Sequence, residues 1–109
     1  MTRSIDYEIS SGNVFADLGV DDPEEMLAKA KLAMTILNAI EQRGLTQHQA
    51  AKLLETNRTN ISKLKRGNEL RKFTFDRLLS WLTKLDRDVT LTVKRKPSRH
   101  ETGQLHVTV

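Results

Sequence analysis

Apolar residues recur at three- and four-residue steps from Leu27 to Ile40. Leu27, Ala30, Met34 and Leu37 lead to Ile40 or Glu41, with Ala33 and Ile36 widening the stripe. This spacing predicts an amphipathic helix. Asp22-Pro23-Glu24-Glu25 marks its start: Asp22 can accept from first-turn amides, Pro23 occupies a position where a missing N–H does no harm, and Glu25 stands at capping-box spacing. Gly44 stops it. Thr46 opens a second helix, from Gln47 to about Leu54, with Gln49 as box partner and Ala50, Leu53 and Leu54 facing inward. Glu55-Thr56-Asn57 breaks the period, and Asn57 caps a third helix from Arg58 to Arg66, ended by Gly67. A last helix is expected from about Thr74 to Leu85, with Phe75, Leu78, Leu79, Leu82 and Leu85 inward. After Asp86 the period falls to two. Val89, Leu91 and Val93 share one face, as do Leu105, Val107 and Val109, around a loop at 96–103; both stretches read as strands. Residues 1–20 hold no sustained period beyond a short turn around Phe15 to Leu18. The chain thus divides into an acidic, loosely ordered lead at 1–21, a helical domain at 22–86 and a β extension at 87–109.

The pair of short helices at 46–67 carries the most chemistry. Ala50 puts a small residue where a steeply crossing helix must come close. Ile61 and Leu64, at i and i+3, form the buried edge of the second helix of the pair. Arg58, Thr59, Ser62, Lys63 and Arg66 then point away from the core; each can donate a hydrogen bond and none is acidic. A helix fits the DNA major groove and offers its N-terminal residues to base edges. Arg58 and Lys63 can donate to guanine acceptors, and Thr59 and Ser62 suit bases or phosphates. Asn60 can pair with adenine if it points into the groove. The amide ends of both helices, where Thr46, Gln47 and Asn57 stand, favour phosphate oxygens. Lys65, Arg66, Arg71 and Lys72 hold the backbone in this reading, setting register without reading sequence. It requires Arg58 and Lys63 to face the same way. A helical bundle with a solvated basic face is the alternative that pattern alone leaves open.

Charge sharpens the picture. The net charge of the 109 residues is only +4. Residues 1–25, however, hold seven acids (Asp6, Glu8, Asp17, Asp21, Asp22, Glu24, Glu25) against Arg3, a balance of −6. Residues 58–72 hold six bases (Arg58, Lys63, Lys65, Arg66, Arg71, Lys72) against Glu69, a balance of +5. The basic stretch suits a polyanion; the acidic one suits a basic protein or is a solvated tail. The absence of cysteine excludes a disulfide scaffold, a thiolate zinc site and a cysteine nucleophile, and fits a reducing cytoplasm. His48, His100 and His106 form no His-Glu-x-x-His pattern, and no glycine-rich phosphate loop is present. No metal, cofactor or enzymatic activity is expected. No apolar run is long enough for a signal peptide or a membrane span, so a cytoplasmic location is expected.

The segment L-T-Q-x-x-A-A-x-L-L, a short turn, then I-S-x-L-x-x-G resembles the helix-turn-helix of the phage-repressor and Cro, or XRE, superfamily. N-V-F-A-D-L-G at 13–19, D-P-E-E-M-L-A-K-A-K-L-A at 22–33, F-T-F-D-R-L-L at 73–79 and L-D-R-D-V-T-L-T-V at 85–93 look like HigA-type antitoxins. The fold this implies is mainly α: a lambda-repressor-like helix-turn-helix bundle with a C-terminal β-strand or hairpin paired across a dimer. The resemblance also implies a homodimer that represses its own operon and neutralises a small basic ribonuclease toxin of the RelE-like fold. By position, Arg58, Thr59 and Lys63 would read bases, while Gln47, Asn60 and Arg66 would make phosphate or mixed contacts. The family commonly has Gly where this chain has Glu55 and Asp86. A left-handed backbone at Glu55 would cost about 1 kcal/mol.

A lone two-stranded hairpin is marginal in water. The apolar face of Val89, Leu91, Val93, Leu105, Val107 and Val109 needs cover, from its own helices or from a second chain. Repressors of this type need two half-sites about one DNA turn apart, which favours the dimer; a frayed tail beyond Lys96 is the bland alternative. The acidic lead is read either as a toxin contact or as a solvated segment. Two further readings stand beside the antitoxin: a stand-alone XRE-family regulator without a toxin, and a helical module that binds only protein.

Overall fold

The computed structural model describes residues 13–109. Five α-helices follow in order: α1 (Val14–Asp17), α2 (Pro23–Gln42), α3 (Gln47–Leu53), α4 (Arg58–Arg66) and α5 (Phe75–Lys84), with a 3-10 turn at Leu70–Lys72 between the last two. α2 is the spine; α1, α4, the 3-10 turn and α5 all pack on it.

α1 forms where Asn13 caps it, accepting from the Phe15 amide at 2.9 Å and the Ala16 amide at 3.2 Å. The Asn13 side chain also donates to the Pro23 carbonyl at 2.9 Å, tying this short turn to the start of α2. α2 begins differently from the sequence reading. Asp22 has a left-handed backbone (φ 50°) and its side chain caps nothing. Its carbonyl accepts from the Met26 amide, and Glu25 turns along the helix to pair with Lys29 at 2.8 Å.

The buried stripe of α2 is Ala28, Leu32, Ala33, Ile36, Ala39 and Ile40. The expected stripe, from Leu27 through Ala30, Met34 and Leu37, lies to one side of it, and Met34 is 49 % exposed. Ala33, Ile36 and Ile40 of the expected stripe are buried, while Ala28, Leu32 and Ala39, which it omitted, complete the buried face. The alanines at 28, 33 and 39 let the neighbouring helices approach closely, and those neighbours supply the bulk. The core that results joins the α2 stripe to Ala50, Ala51, Leu54, Ile61, Leu64, Leu70, Phe73, Leu78, Trp81, Leu82 and Leu85. Phe73 and Trp81 meet edge to face with ring centroids 5.7 Å apart, and the Arg77 guanidinium lies over both rings.

Among the described residues Lys29 is the one charged residue in this interior, 3 % exposed. Its ammonium is satisfied by Glu25, by the Arg71 carbonyl at 3.2 Å and by the face of Phe75 at 5.3 Å. A buried cation needs such partners. Here they fasten α2 to the 3-10 turn and to α5.

The C-terminal extension departs from expectation. No strand is formed among the described residues. Residues 88–96 leave the bundle, turn at 97–100 where the His100 amide donates to the Pro97 carbonyl, and return. The two arms are held separately. Val89 and Val107 pack against the core, Lys31 donates to the Val107 carbonyl at 3.2 Å, and the Leu105 amide donates to Glu24 at 3.1 Å. Leu91 and Val93 remain 76 % and 96 % exposed, and among the described residues the period-two alternation has no pairing strand. No helix among the described residues is long and apolar enough to cross a membrane.

Candidate nucleic-acid interface

α3 and α4 form a compact pair. Thr46 caps α3 in a complete capping box: its hydroxyl accepts from the Gln49 amide at 3.1 Å, and the Gln49 side chain accepts from the Thr46 amide at 2.9 Å. Ala50 is fully buried at the crossing. α3 ends with the Thr56 amide donating to the Ala51 carbonyl at 2.8 Å and the Glu55 amide to the Lys52 carbonyl at 3.2 Å. That doubled closure requires a left-handed residue, and Glu55 supplies it at φ 59°. α2 and α5 close in the same way, through Gly44 at φ 66° and Asp86 at φ 63°. Both acids therefore occupy the glycine-type backbone anticipated for them. Each also has a cation in reach: Lys84 stands 3.6 Å from Glu55, and Arg43 stands 3.2 Å from Asp86.

Asn57 caps α4, accepting from the Asn60 amide at 2.8 Å, and Gly67 ends it at φ 74°. Ile61 and Leu64 are buried as expected. At about 100° per residue, the arc opposite them is centred on Thr59 and Arg66 and includes Ser62 and Lys63. Contrary to the requirement of the sequence reading, Arg58 does not share a direction with Lys63: five residues of helix put them about 140° apart, and Arg58 falls at the margin of the arc. They stand on the two shoulders of the arc, with Thr59, Ser62 and Arg66 between them. Arg58, Thr59 and Arg66 are exposed, Ser62 and Lys63 half-buried. A helix seated in a groove meets both walls, so the two cations would serve opposite sides of it.

The other expected contacts are placed as follows. Asn60 lies below the Lys63 shoulder, half-buried, and its side-chain amide donates to the Thr56 hydroxyl at 2.8 Å, so it does not enter the arc. Lys65 is exposed below the Arg58 shoulder. Thr46 and Asn57 are engaged as caps, and Gln47 occupies the first position of α3, half-buried. Arg71 is exposed, but its guanidinium donates to the Asp21 carbonyl at 3.0 Å, binding the basic turn to the entry of α2. Lys72 is exposed, with its ammonium 3.5 Å from Glu69.

Two residues that shape this surface were given no role by the sequence reading. Lys29 holds the main chain beneath Arg71; its signal was Glu25 four residues earlier on the same helix. Glu69 is the only acid between positions 58 and 72, and its carboxylate sits between Lys63 at 3.4 Å and Lys72 at 3.5 Å. Partial burial pushes the Glu69 carboxyl up, but the charges of Lys63 and Lys72 outweigh it and hold the group below the ordinary carboxylate range. Among the described residues no cluster of three or more histidines and carboxylates could hold a metal ion.

A short capped helix, a left-handed turn and a second helix carrying an acid-free, donor-rich arc together define a helix-turn-helix unit. A family model described as a helix-turn-helix domain matches residues 14–94, and the chain belongs to that family. A solved structure assigned by name to the XRE family of transcriptional regulators is similar over 81 % of this chain and 98 % of its own, at 32 % identity and a TM-score of 0.69. No curated protein matches.

Proposed function

We propose that this protein is a sequence-specific DNA-binding transcriptional repressor, a binding protein without catalytic activity, that seats α4 in the major groove of an operator. The observation that carries the reading is the arc of α4. Thr59, Ser62, Lys63 and Arg66 offer only donor-bearing side chains, with Arg58 on the far shoulder and no acid on the helix. Membership of the helix-turn-helix family and likeness to an XRE-family regulator support it. Arg58, Thr59, Ser62 and Lys63 read base edges. Thr46, Gln47, Asn57, Lys65, Arg66, Arg71 and Lys72 address phosphates, and each phosphate neutralised makes binding more salt-sensitive.

The protein acts as a homodimer on two half-sites. Leu91, Val93 and Leu105, left exposed in one chain, gain cover when the tails of two copies pair beside Val89 and Val107. Its finer role is that of an antitoxin, which neutralises a small basic ribonuclease and represses the shared operon. Support comes from the resemblance to HigA-type antitoxins across 13–19, 22–33, 73–79 and 85–93, and from the −6 balance of residues 1–25, seven acids against one base. Residues 1–12 of that acidic segment lie outside the described residues. A stand-alone regulator is the second reading, favoured by the name of the solved relative, which mentions no toxin.

Selection from a randomised DNA pool at moderate salt tests the first claim; a pool that emerges unenriched ends it. Co-expression with the adjacent small reading frame tests the second. A neighbour that neither slows growth nor copurifies leaves the stand-alone regulator.

A further inference from the structure

Glu69 is fixed in place by the backbone on either side of it. Gly67 reverses the chain at the end of α4 with φ 74°, and Leu70, 4 % exposed, pins the next residues into the core. Only Asn68 separates Gly67 from Glu69. The carboxylate is thereby returned alongside the last turns of α4, against the shoulder that carries Lys63. Its Oε1 is shielded from solvent and makes no close hydrogen bond; the Lys63 and Lys72 ammonium groups approach it at 3.4 and 3.5 Å from two different elements. Among the described residues no carboxylate is paired with Arg58 on the other shoulder.

We propose that Glu69 is a specificity-determining positioning residue: it holds the Lys63 ammonium at one edge of the reading arc and withholds Lys63 and Lys72 from indiscriminate phosphate binding. This rests on the DNA-binding reading given above. A lysine is a flexible point charge that binds any phosphate it can reach. Sequence is read only when a donor is held at a base edge, whereas phosphate neutralisation favours every sequence alike. A fixed carboxylate beside Lys63 does both things at once. It confines the ammonium before DNA arrives, and it cancels charge that would otherwise attract the backbone.

The test measures binding of the full-length protein to its selected DNA and to random-sequence duplex across a salt series. The wild type is measured first; equal affinity for both DNAs there would remove the DNA-reading premise itself. Given a discriminating wild type, Glu69→Gln should bind random duplex about tenfold more tightly near 0.1 M salt. Its log–log salt slope should steepen by roughly one to two, the signature of one or two released cations. Discrimination should fall by a similar factor, and Glu69→Asp should restore most of it. In a Lys63→Ala/Lys72→Ala background, Glu69→Gln should change neither slope nor discrimination. The proposal is overturned if Glu69→Gln, folded by its circular dichroism spectrum and melting transition, keeps the wild-type slope and discrimination. It is equally overturned if the effect persists without the two lysines. Should Glu69→Gln fail to fold, Glu69→Ala takes its place, read by the same two measurements and with the same outcomes supporting or overturning the proposal.

Discussion

The helical bundle and the C-terminal extension carry equally regular apolar patterns, yet only one of them is buried. In the bundle every stripe meets another: Ile36 of α2, Leu54 at the end of α3, Ile61 and Leu64 of α4 and Leu78 of α5 are all at most 2 % exposed. In the extension, Val89 and Val107 reach the core while Leu91, Val93 and Val109 stay in water. The difference lies in what a period demands. A helix satisfies its backbone internally and needs only a neighbour for one face. A strand needs a neighbour for its backbone as well. A pattern with period two is therefore an incomplete instruction within one chain, and a second copy is the occupant proposed for it.

The largest effect that would sharpen this contrast is a cavity in the bundle. Leu78→Ala should cost about 2–5 kcal/mol in denaturant unfolding, whereas Leu91→Ala should cost under about 0.5 kcal/mol at protein concentrations where the chain is monomeric. Comparable losses for both would mean that the extension is already packed in the monomer. Next in size is removal of the extension. Deleting residues 88–109 should leave the helices folded, convert dimers to monomers by light scattering and weaken operator binding. Dimers that survive the deletion would move the interface onto the bundle. Within the bundle, Lys63→Ala should change which DNA is preferred in a selection, while Arg71→Ala should weaken all sequences nearly alike. Identical consequences for both would dissolve the division between reading and anchoring.

Smaller still is the backbone effect at the α3–α4 turn. Glu55→Gly should raise stability by up to about 1 kcal/mol, because glycine adopts the left-handed conformation without strain. The lost pairing with Lys84, at an exposed site, returns only a small part of that gain. Unchanged or lower stability would mean that the turn carries no strain. The slightest effect concerns acid. Glu69 is depressed by its two lysines despite partial burial, and Asp76 is depressed chiefly by its hydrogen bond with Thr74. A carboxyl with a lowered folded pKa contributes stability above its unfolded value, and that contribution fades as pH falls through the folded one. Both groups should therefore titrate below reference peptides when followed by NMR, and the bundle should lose a little stability over that acidic interval. Reference-like titration at either site would remove its contribution.

Much of the bundle was legible because its signals are local. Caps at Thr46 and Asn57, glycines at 44 and 67, and the apolar pair Ile61 and Leu64 each act within a turn of helix, and the structure places all of them as read. What was missed depended on partners distant in the chain or on a choice between competing local partners. The buried face of α2 is set by which neighbours fill the space over its alanines. Asp22 gave up its capping role to a left-handed backbone, and Glu25 turned to Lys29. The 3-10 turn at 70–72 is held by Leu70 and Phe73 against the core, a contact with no periodic trace in three residues. At the interface, the donor-rich character of α4 could be read directly. The engagement of Lys63 and Lys72 with Glu69, and of Arg71 with Asp21, could not, because each depends on how the chain returns after Gly67.

The hold of Lys29 on position 71 has a practical consequence for mutagenesis. Lys29 grips a carbonyl oxygen, an atom that every amino acid possesses. Any side chain installed at 71 inherits the same anchorage, so a series of substitutions there varies charge and reach while the main chain keeps its path.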